Sequence, residues 1–242
     1  MKIGIIFSTQ RSGTTLINNA LMSHPKLHSF GEIFSPRDQF AKSAFFCEFS
    51  LYKLLIENNN IEQRQSLITE FINQLADNDD RLLCFKLMVD QFLDLRMGEF
   101  LNDSFNLRVI KIVRENLLEV VVSRVRSSVN NIVHVDRYFD PTLKLVRLDP
   151  HKVIDYLNDV KSANDIVRSS LLGANSILIN YDDIVNDLDT VISDVYKFLG
   201  VDSNFIPTSN LFKIGSANVW DDISNSEEIV SVLKDSEFNH LI

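Results

Sequence analysis

Six consecutive residues near the N-terminus, Gln10-Arg11-Ser12-Gly13-Thr14-Thr15, place a cation, three hydroxyls and a glycine in one short stretch. They follow an apolar run, Ile3-Gly4-Ile5-Ile6-Phe7, and precede Leu16-Ile17-Asn18-Asn19-Ala20-Leu21-Met22. A strand, a polar turn and a helix start make an anion site. Unpaired backbone N–H groups and the positive helix end point the same way. The nucleotide-binding pattern G-x-x-x-x-G-K-[ST] aligns on Gly13, with Ser8 at the first glycine, Thr14 at the lysine and Thr15 at the hydroxyl. The lysine that reaches the outer phosphates of a nucleoside triphosphate is therefore missing. A cation stands earlier, at Arg11, which suits a short phosphate group better than a triphosphate with magnesium.

A second constellation lies mid-chain. Leu107-Arg108-Val109-Ile110-Lys111-Ile112-Val113 reads as a strand with Arg114 at its carboxyl end. Asn116 reads as the N-cap of the next helix, with Glu119 completing a capping box. Ser123 and Ser127 fall on one face of that helix. A strand-end arginine and a hydroxyl on the following helix can clamp a second phosphate.

The elements that must position these groups alternate along the chain. Apolar runs and turn signals predict strands near 2–7, 26–30, 82–87, 107–113 and 175–180. Helical periodicity predicts helices near 13–23, 38–57, 61–77, 89–101, 116–130, 150–172, 186–199 and 226–235. His24 precedes Pro25 and is expected to end the first helix. Strands alternating with helices imply an α/β fold, a parallel sheet covered on both faces. Residues 131–149 show weak periodicity and are expected to form a flap over the acceptor. No repeat or linker divides the chain, so 1–242 reads as a single domain.

The whole-chain quantities exclude several classes. The chain has 242 residues, 45% of them hydrophobic, and a mean hydropathy of +0.01. That is ample for one core and fits a soluble globular protein. No apolar run is long enough for a membrane span. Met1-Lys2 followed by a strand lacks a signal-peptide pattern, so the expected compartment is cytoplasmic. Cys47 and Cys84 form neither a disulfide framework nor a zinc-ligand spacing. A net charge of −9 argues against nucleic acid as a partner. An acidic protein can still hold a positive cleft, and Lys111, Arg114, Arg124 and Arg126 crowd one stretch of sequence.

The turn at Gln10–Thr15, together with Arg114 and Ser123, resembles the sulfotransferases that use 3'-phosphoadenosine 5'-phosphosulfate. In that family such a loop wraps the 5'-phosphosulfate, and a strand-end arginine and a helix serine hold the 3'-phosphate. The spacing from 114 to 123 is one residue longer than in many cytosolic members. With Arg11 and the Arg114-Glu115-Asn116 turn, it looks more like the bacterial carbohydrate sulfotransferases of the nodulation-factor and trehalose type. His24-Pro25, Gly31-Glu32-Ile33-Phe34, Phe85-Lys86-Leu87-Met88, Asn180-Tyr181-Asp182-Asp183-Ile184 and Phe198-Leu199-Gly200-Val201 follow in the same order as further landmarks. The resemblance implies the P-loop NTPase-like sulfotransferase fold. It also implies a reaction that yields adenosine 3',5'-bisphosphate and needs no metal.

In that chemistry a sulfuryl group passes in line from a phosphate leaving group to an acceptor hydroxyl, and positioning and charge stabilisation dominate. Arg11 and the N–H groups of Gln10, Arg11, Ser12 and Gly13 are expected at the leaving oxygen, with Thr14 and Thr15 on the 5'-phosphate. Glu32, at the end of a short strand beside the turn, is the expected base; alternatively it binds a sugar hydroxyl or caps a helix. His28, with an unperturbed pKa of about 6.5, is the rival base, or else a packed core residue. Lys86 touches the sulfonate or the acceptor, or pairs with a carboxylate such as Asp90. Lys213 occupies a place where the family often has a basic loop on the 3'-phosphate. Tyr181-Asp182-Asp183 reads as a structural turn. Trp220 stacks on adenine or sugar, or packs. Phe34, Phe40, Phe45, Phe46, Phe49 and Tyr52 line an acceptor pocket or fill the core. The acceptor is a glycan or small molecule. A nucleotide-dependent kinase and a non-catalytic nucleotide-binding protein are the alternatives, and oligomeric state is not legible.

Overall fold

The computed structural model describes residues 2–35, 60–77, 80–130, 145–170, 172–173, 175–207 and 218–242. Its centre is strand β1 (Lys2–Ser8), buried from Ile3 to Ser8. Isoleucines fill both of its faces, as a parallel sheet covered on two sides requires. Around it stand β2 (Leu27–Ser29), β3 (Leu82–Met88), β4 (Asn106–Val113) and β5 (Asn175–Asn180), in the order β2-β3-β1-β4-β5. Every pairing is parallel. Ile6 lies level with Lys86 on one side and Ile110 on the other, and Ser8 with Met88 and Ile112.

The helices are α1 (Thr14–Ser23), α2 (Ile61–Asp77), α3 (Val89–Asp94), α4 (Gly98–Ser104), α5 (Leu117–Asn130), α6 (Val153–Ser169), α7 (Tyr181–Asn186), α8 (Leu188–Leu199) and α9 (Ser226–Lys234). Ile3, Ile5 and Phe7 face Ile68 and Ile72 of α2, Leu101 of α4 and Val167 of α6. Ile6, Ile110 and Ile112 face Ile17 and Leu21 of α1 and Ile192, Val195 and Tyr196 of α8. A third cluster joins α5, α6 and α9 through Leu118, Leu157 and Leu233. The expected α/β architecture with a parallel sheet flanked by helices is the one observed.

Two expectations change. The helix read over 89–101 is two helices, α3 and α4, because Arg96 turns left-handed (φ 51°). Leu95 and Met97 both enter the same core, and positions two apart cannot share a face of one continuous helix. Tyr181-Asp182-Asp183 is no turn but the start of α7; Asp187 follows that helix, and its carboxylate caps α8 by accepting from Thr190 N–H at 3.1 Å. The helix read over 38–57 lies within residues outside the described ones, as does the flap up to residue 144. His24 does end α1; its ring is buried against Tyr196 and Phe205. Phe34 is a core residue, in edge contact with Phe85. Trp220 packs on the third cluster and donates to Leu241 O at 3.2 Å.

A buried ion pair ties the C-terminal segment to α5. Arg126 meets Asp222 at 2.8 Å, with side chains only 8% and 11% exposed. Breaking such a pair strands a charge, whereas replacing both partners by apolar groups does not. Asp222→Ala is expected to cost about 3–5 kcal/mol of unfolding free energy in urea titration. Arg126→Met with Asp222→Leu is expected to recover most of that loss.

Candidate functional site

The chain leaves the carboxyl end of β1 toward β2 and β3, and that of β4 toward β5 on the other side. Ligands of open parallel sheets bind outside the carboxyl ends at such a point. Here Ser8 Oγ donates to Ile112 O at 2.7 Å and closes the end of β1 against β4.

The turn after β1 is held by its own hydroxyls and by its neighbours. Thr9 Oγ1 and Ser12 Oγ are 2.9 Å apart and buried. Arg11 is left-handed (φ 70°), a conformation that costs about 1–2 kcal/mol for an L-residue. Its carbonyl accepts from Arg114 Nη1 at 3.1 Å, which holds the strained peptide in place. Gly13 has φ 81°, and a Cβ there would stand 2.8 Å from Tyr181 Cδ2. No side chain caps α1 at Gly13, so the first-turn N–H groups point outward, ready for an anion.

Arg114 follows β4 and is only 7% exposed. Its Nη2 ion-pairs with Glu119 in the first turn of α5. Its Cζ lies 3.9 Å above the centre of the Tyr181 ring, a cation–π contact. Its carbonyl accepts from Asn164 Nδ2 of α6 at 2.9 Å. Its Nε is buried without a hydrogen-bond partner. Burial pushes the Tyr181 hydroxyl up from its ordinary pKa, with the Arg114 charge opposing. Asn116 Oδ1 accepts from Glu119 N–H at 3.1 Å, as the N-cap reading expects. Ser123 Oγ accepts from Arg11 Nε at 2.8 Å. The structure therefore brings Arg11, Arg114 and Ser123 together on the α5 side of the turn.

The other side of the turn holds a carboxylate and an ammonium. Phe30 N–H donates to Cys84 O at 2.9 Å and Lys86 N–H to Gly31 O at 2.8 Å, extending the β2–β3 pairing past Ser29. A left-handed Gly31 (φ 68°) then brings Glu32 Oε1 to 3.0 Å from Lys86 Nζ. Lys86 thus pairs with Glu32 and not with Asp90. Asp90, in the first turn of α3, accepts from Gln10 Nε2 at 3.4 Å instead.

One sequence-derived assignment does not join this site. His28 Nδ1 lies 2.9 Å from Arg81 Nη2, and its ring stacks on Phe30 at 4.0 Å. It is level with Leu83, about 10 Å of strand before Lys86, so the imidazole belongs to the amino-terminal end of the sheet edge. Lys213 lies outside the described residues. The expected cluster of cations also divides. Lys111 Nζ donates to Ser170 O at 2.5 Å at the C-terminal end of α6, and burial lowers its pKa. Arg126 is spent on Asp222. Arg124 is half-buried; desolvation depresses its pKa, while Asp90 and Asp159 act the other way.

Tyr181 and Glu119 are the site residues that sequence reasoning left in structural roles. A register argument would have found the first. Asn180 ends β5 level with Val113, the last residue of β4, so the residues that follow the two strands, Tyr181 and Arg114, must stand side by side. Among the described residues, no group of three or more His, Cys, Asp or Glu side chains could hold a metal ion, and no helix is long and apolar enough to cross a membrane.

The sequence profile described as the sulfotransferase family matches residues 5–205. Among curated proteins none matches. Similar solved structures include a sulfotransferase from Alicyclobacillus acidocaldarius, at 14% identity and TM-score 0.52, covering 99% of this chain and 96% of that one. The sulfotransferase domain of the Synechococcus PCC 7002 olefin synthase aligns at 20% identity and TM-score 0.50, over 96% of this chain and 87% of that one. The sulfotransferase domain from the curacin biosynthetic pathway aligns at 19% identity and TM-score 0.50, over 99% and 88%. At these identities the likeness carries the fold.

Gly13→Ala tests the local geometry directly. The new methyl meets the Tyr181 ring that Arg114 covers, and the backbone is left-handed. A loss of about 1–3 kcal/mol in unfolding free energy is expected in urea titration.

Proposed function

The chain belongs to the sulfotransferase family, and from that premise we propose that it moves a sulfuryl group from 3'-phosphoadenosine 5'-phosphosulfate to a hydroxyl of a carbohydrate-like or small-molecule acceptor. The observation that carries this reading is the pairing of two anion-binding features across the ends of β1 and β4. One is an uncapped helix start behind a turn that lacks the triphosphate-binding lysine. The other is Arg114 with Ser123, and the buried Nε of Arg114 has no hydrogen-bond partner. A nucleotide with phosphates at both its 5' and 3' positions fits that donor set.

The donor supplies the sulfuryl group and a phosphate that leaves readily as an anion. N–H groups of the turn, Ser12 among them, and of the first turn of α1, with the hydroxyls of Thr14 and Thr15, bind the 5'-phosphate. The Arg11 guanidinium serves the same group and stabilises charge as it develops on the leaving oxygen. Arg114 and Ser123 hold the 3'-phosphate. Glu32 takes the proton of the acceptor hydroxyl. Lys86, 3.0 Å away and only 3% exposed, orients that carboxylate and faces the transferring group.

Isothermal titration with adenosine 3',5'-bisphosphate in the absence of magnesium tests the reading. Binding much tighter than that of ATP is expected; equal or tighter ATP binding overturns it. Arg114→Ala is expected to weaken bisphosphate binding by about 2–5 kcal/mol, since it removes a buried charge partner. Glu32→Gln is expected to lower kcat of labelled-sulfate transfer by at least about a hundredfold while bisphosphate affinity holds. Near-wild-type turnover of Glu32→Gln would assign the base to another group.

A further inference from the structure

We propose that the Glu119 carboxylate is a built-in competitor for the donor's 3'-phosphate: it occupies the Arg114 guanidinium in the free protein and gives it up when nucleotide binds. The inference rests on the donor reading above. Its basis is how the guanidinium is used. Nη1 is committed to the Arg11 carbonyl at 3.1 Å. One face of the plane is covered by Tyr181. What remains for an anion is the side edge, formed by Nε and Nη2. Glu119 meets Nη2 through Oε2 and leaves Nε buried and unbonded. A phosphate, with three oxygens, satisfies both donors of that edge. A single carboxylate oxygen on a two-donor edge is the weaker occupant, and the orphaned Nε adds its desolvation cost to the free state.

The second phosphate ligand is engaged in the same way. Ser123 Oγ already accepts from Arg11 Nε at 2.8 Å. Both groups assigned to the 3'-phosphate therefore hold internal partners, and binding is an exchange of partners. Glu119 keeps a stabilising field when it gives up Arg114: its side chain is partly exposed, at 16%, and in the first turn of α5 the helix end stabilises its charge in any rotamer. A contact made only in the free protein is subtracted from the binding free energy. Removing it raises the free state and leaves the complex untouched.

The test compares wild type, Glu119→Gln and Glu119→Asp by isothermal titration with adenosine 3',5'-bisphosphate and with adenosine 5'-monophosphate. The aspartate keeps the charge at the helix start but falls one methylene short of Arg114, and it serves where the glutamine variant folds poorly. Both variants are expected to bind the bisphosphate about tenfold tighter, the value of one charge-assisted hydrogen bond, with the monophosphate unchanged. The nucleotide-induced rise in melting temperature is expected to grow in parallel. Unchanged or weaker bisphosphate binding by both variants would show that Glu119 orients Arg114 in the complex and would overturn the inference alone. An equal gain for both nucleotides would also overturn it, as a general loosening of the turn. Wild type that fails to bind the bisphosphate overturns the donor reading and this inference with it.

Discussion

A single hydrogen bond, from the Arg114 guanidinium to the Arg11 carbonyl, joins the end of β4 to the turn that follows β1. The turn needs it. Arg11 is left-handed without being glycine, and such a conformation persists only where the surroundings over-determine it. Arg114 is over-determined in turn by Glu119, by the Tyr181 ring and by Asn164 on its carbonyl. Residues of β4, α5, α6 and α7 thus converge on one peptide group. The direction of the N–H groups at the start of α1 follows from that convergence.

The protein is acidic, yet its buried cations are individually placed. Lys111 satisfies a carbonyl at the end of α6. Half-buried Arg108 donates to Phe198 O at 2.6 Å at the end of α8, where Gly200 leaves room for it. Arg126 balances Asp222. Each meets the rule that a buried charge must be paired or hydrogen-bonded. A run of basic residues in the sequence therefore says little about the potential of the cleft. Of that run, Arg114 faces the turn, and Arg124 stands under the opposing influence of two carboxylates.

The architecture was readable from periodicity because hydrophobic burial imposes it directly. A strand such as Ile3–Phe7, apolar on both faces, has few places to go except the middle of a covered sheet. The break between α3 and α4 was not readable. It arises because Leu95 and Met97 must enter one core, a demand set by partners far along the chain. The site divides in the same manner. The glycine and hydroxyls of the turn are local chemistry and were legible. The pairing of Glu32 with Lys86 depends on a left-handed Gly31 that folds the end of β2 back over β3. His28, chosen for its titration range, sits on a short edge strand level with Leu83, short of the carboxyl end of the sheet.

By itself the sequence determined the parallel α/β class, the polar strand-to-helix turn at 10–15 and the arginine and serine after β4. All three depend on groups close together in the chain, where helix ends, turn stereochemistry and strand ends act. Tertiary structure alone decided which charges meet. It put Arg11 on Ser123, Arg114 on Glu119 and over Tyr181, and Lys86 on Glu32. Ion pairing in a folded protein is settled by strand order and register, and these emerge only when distant segments pack.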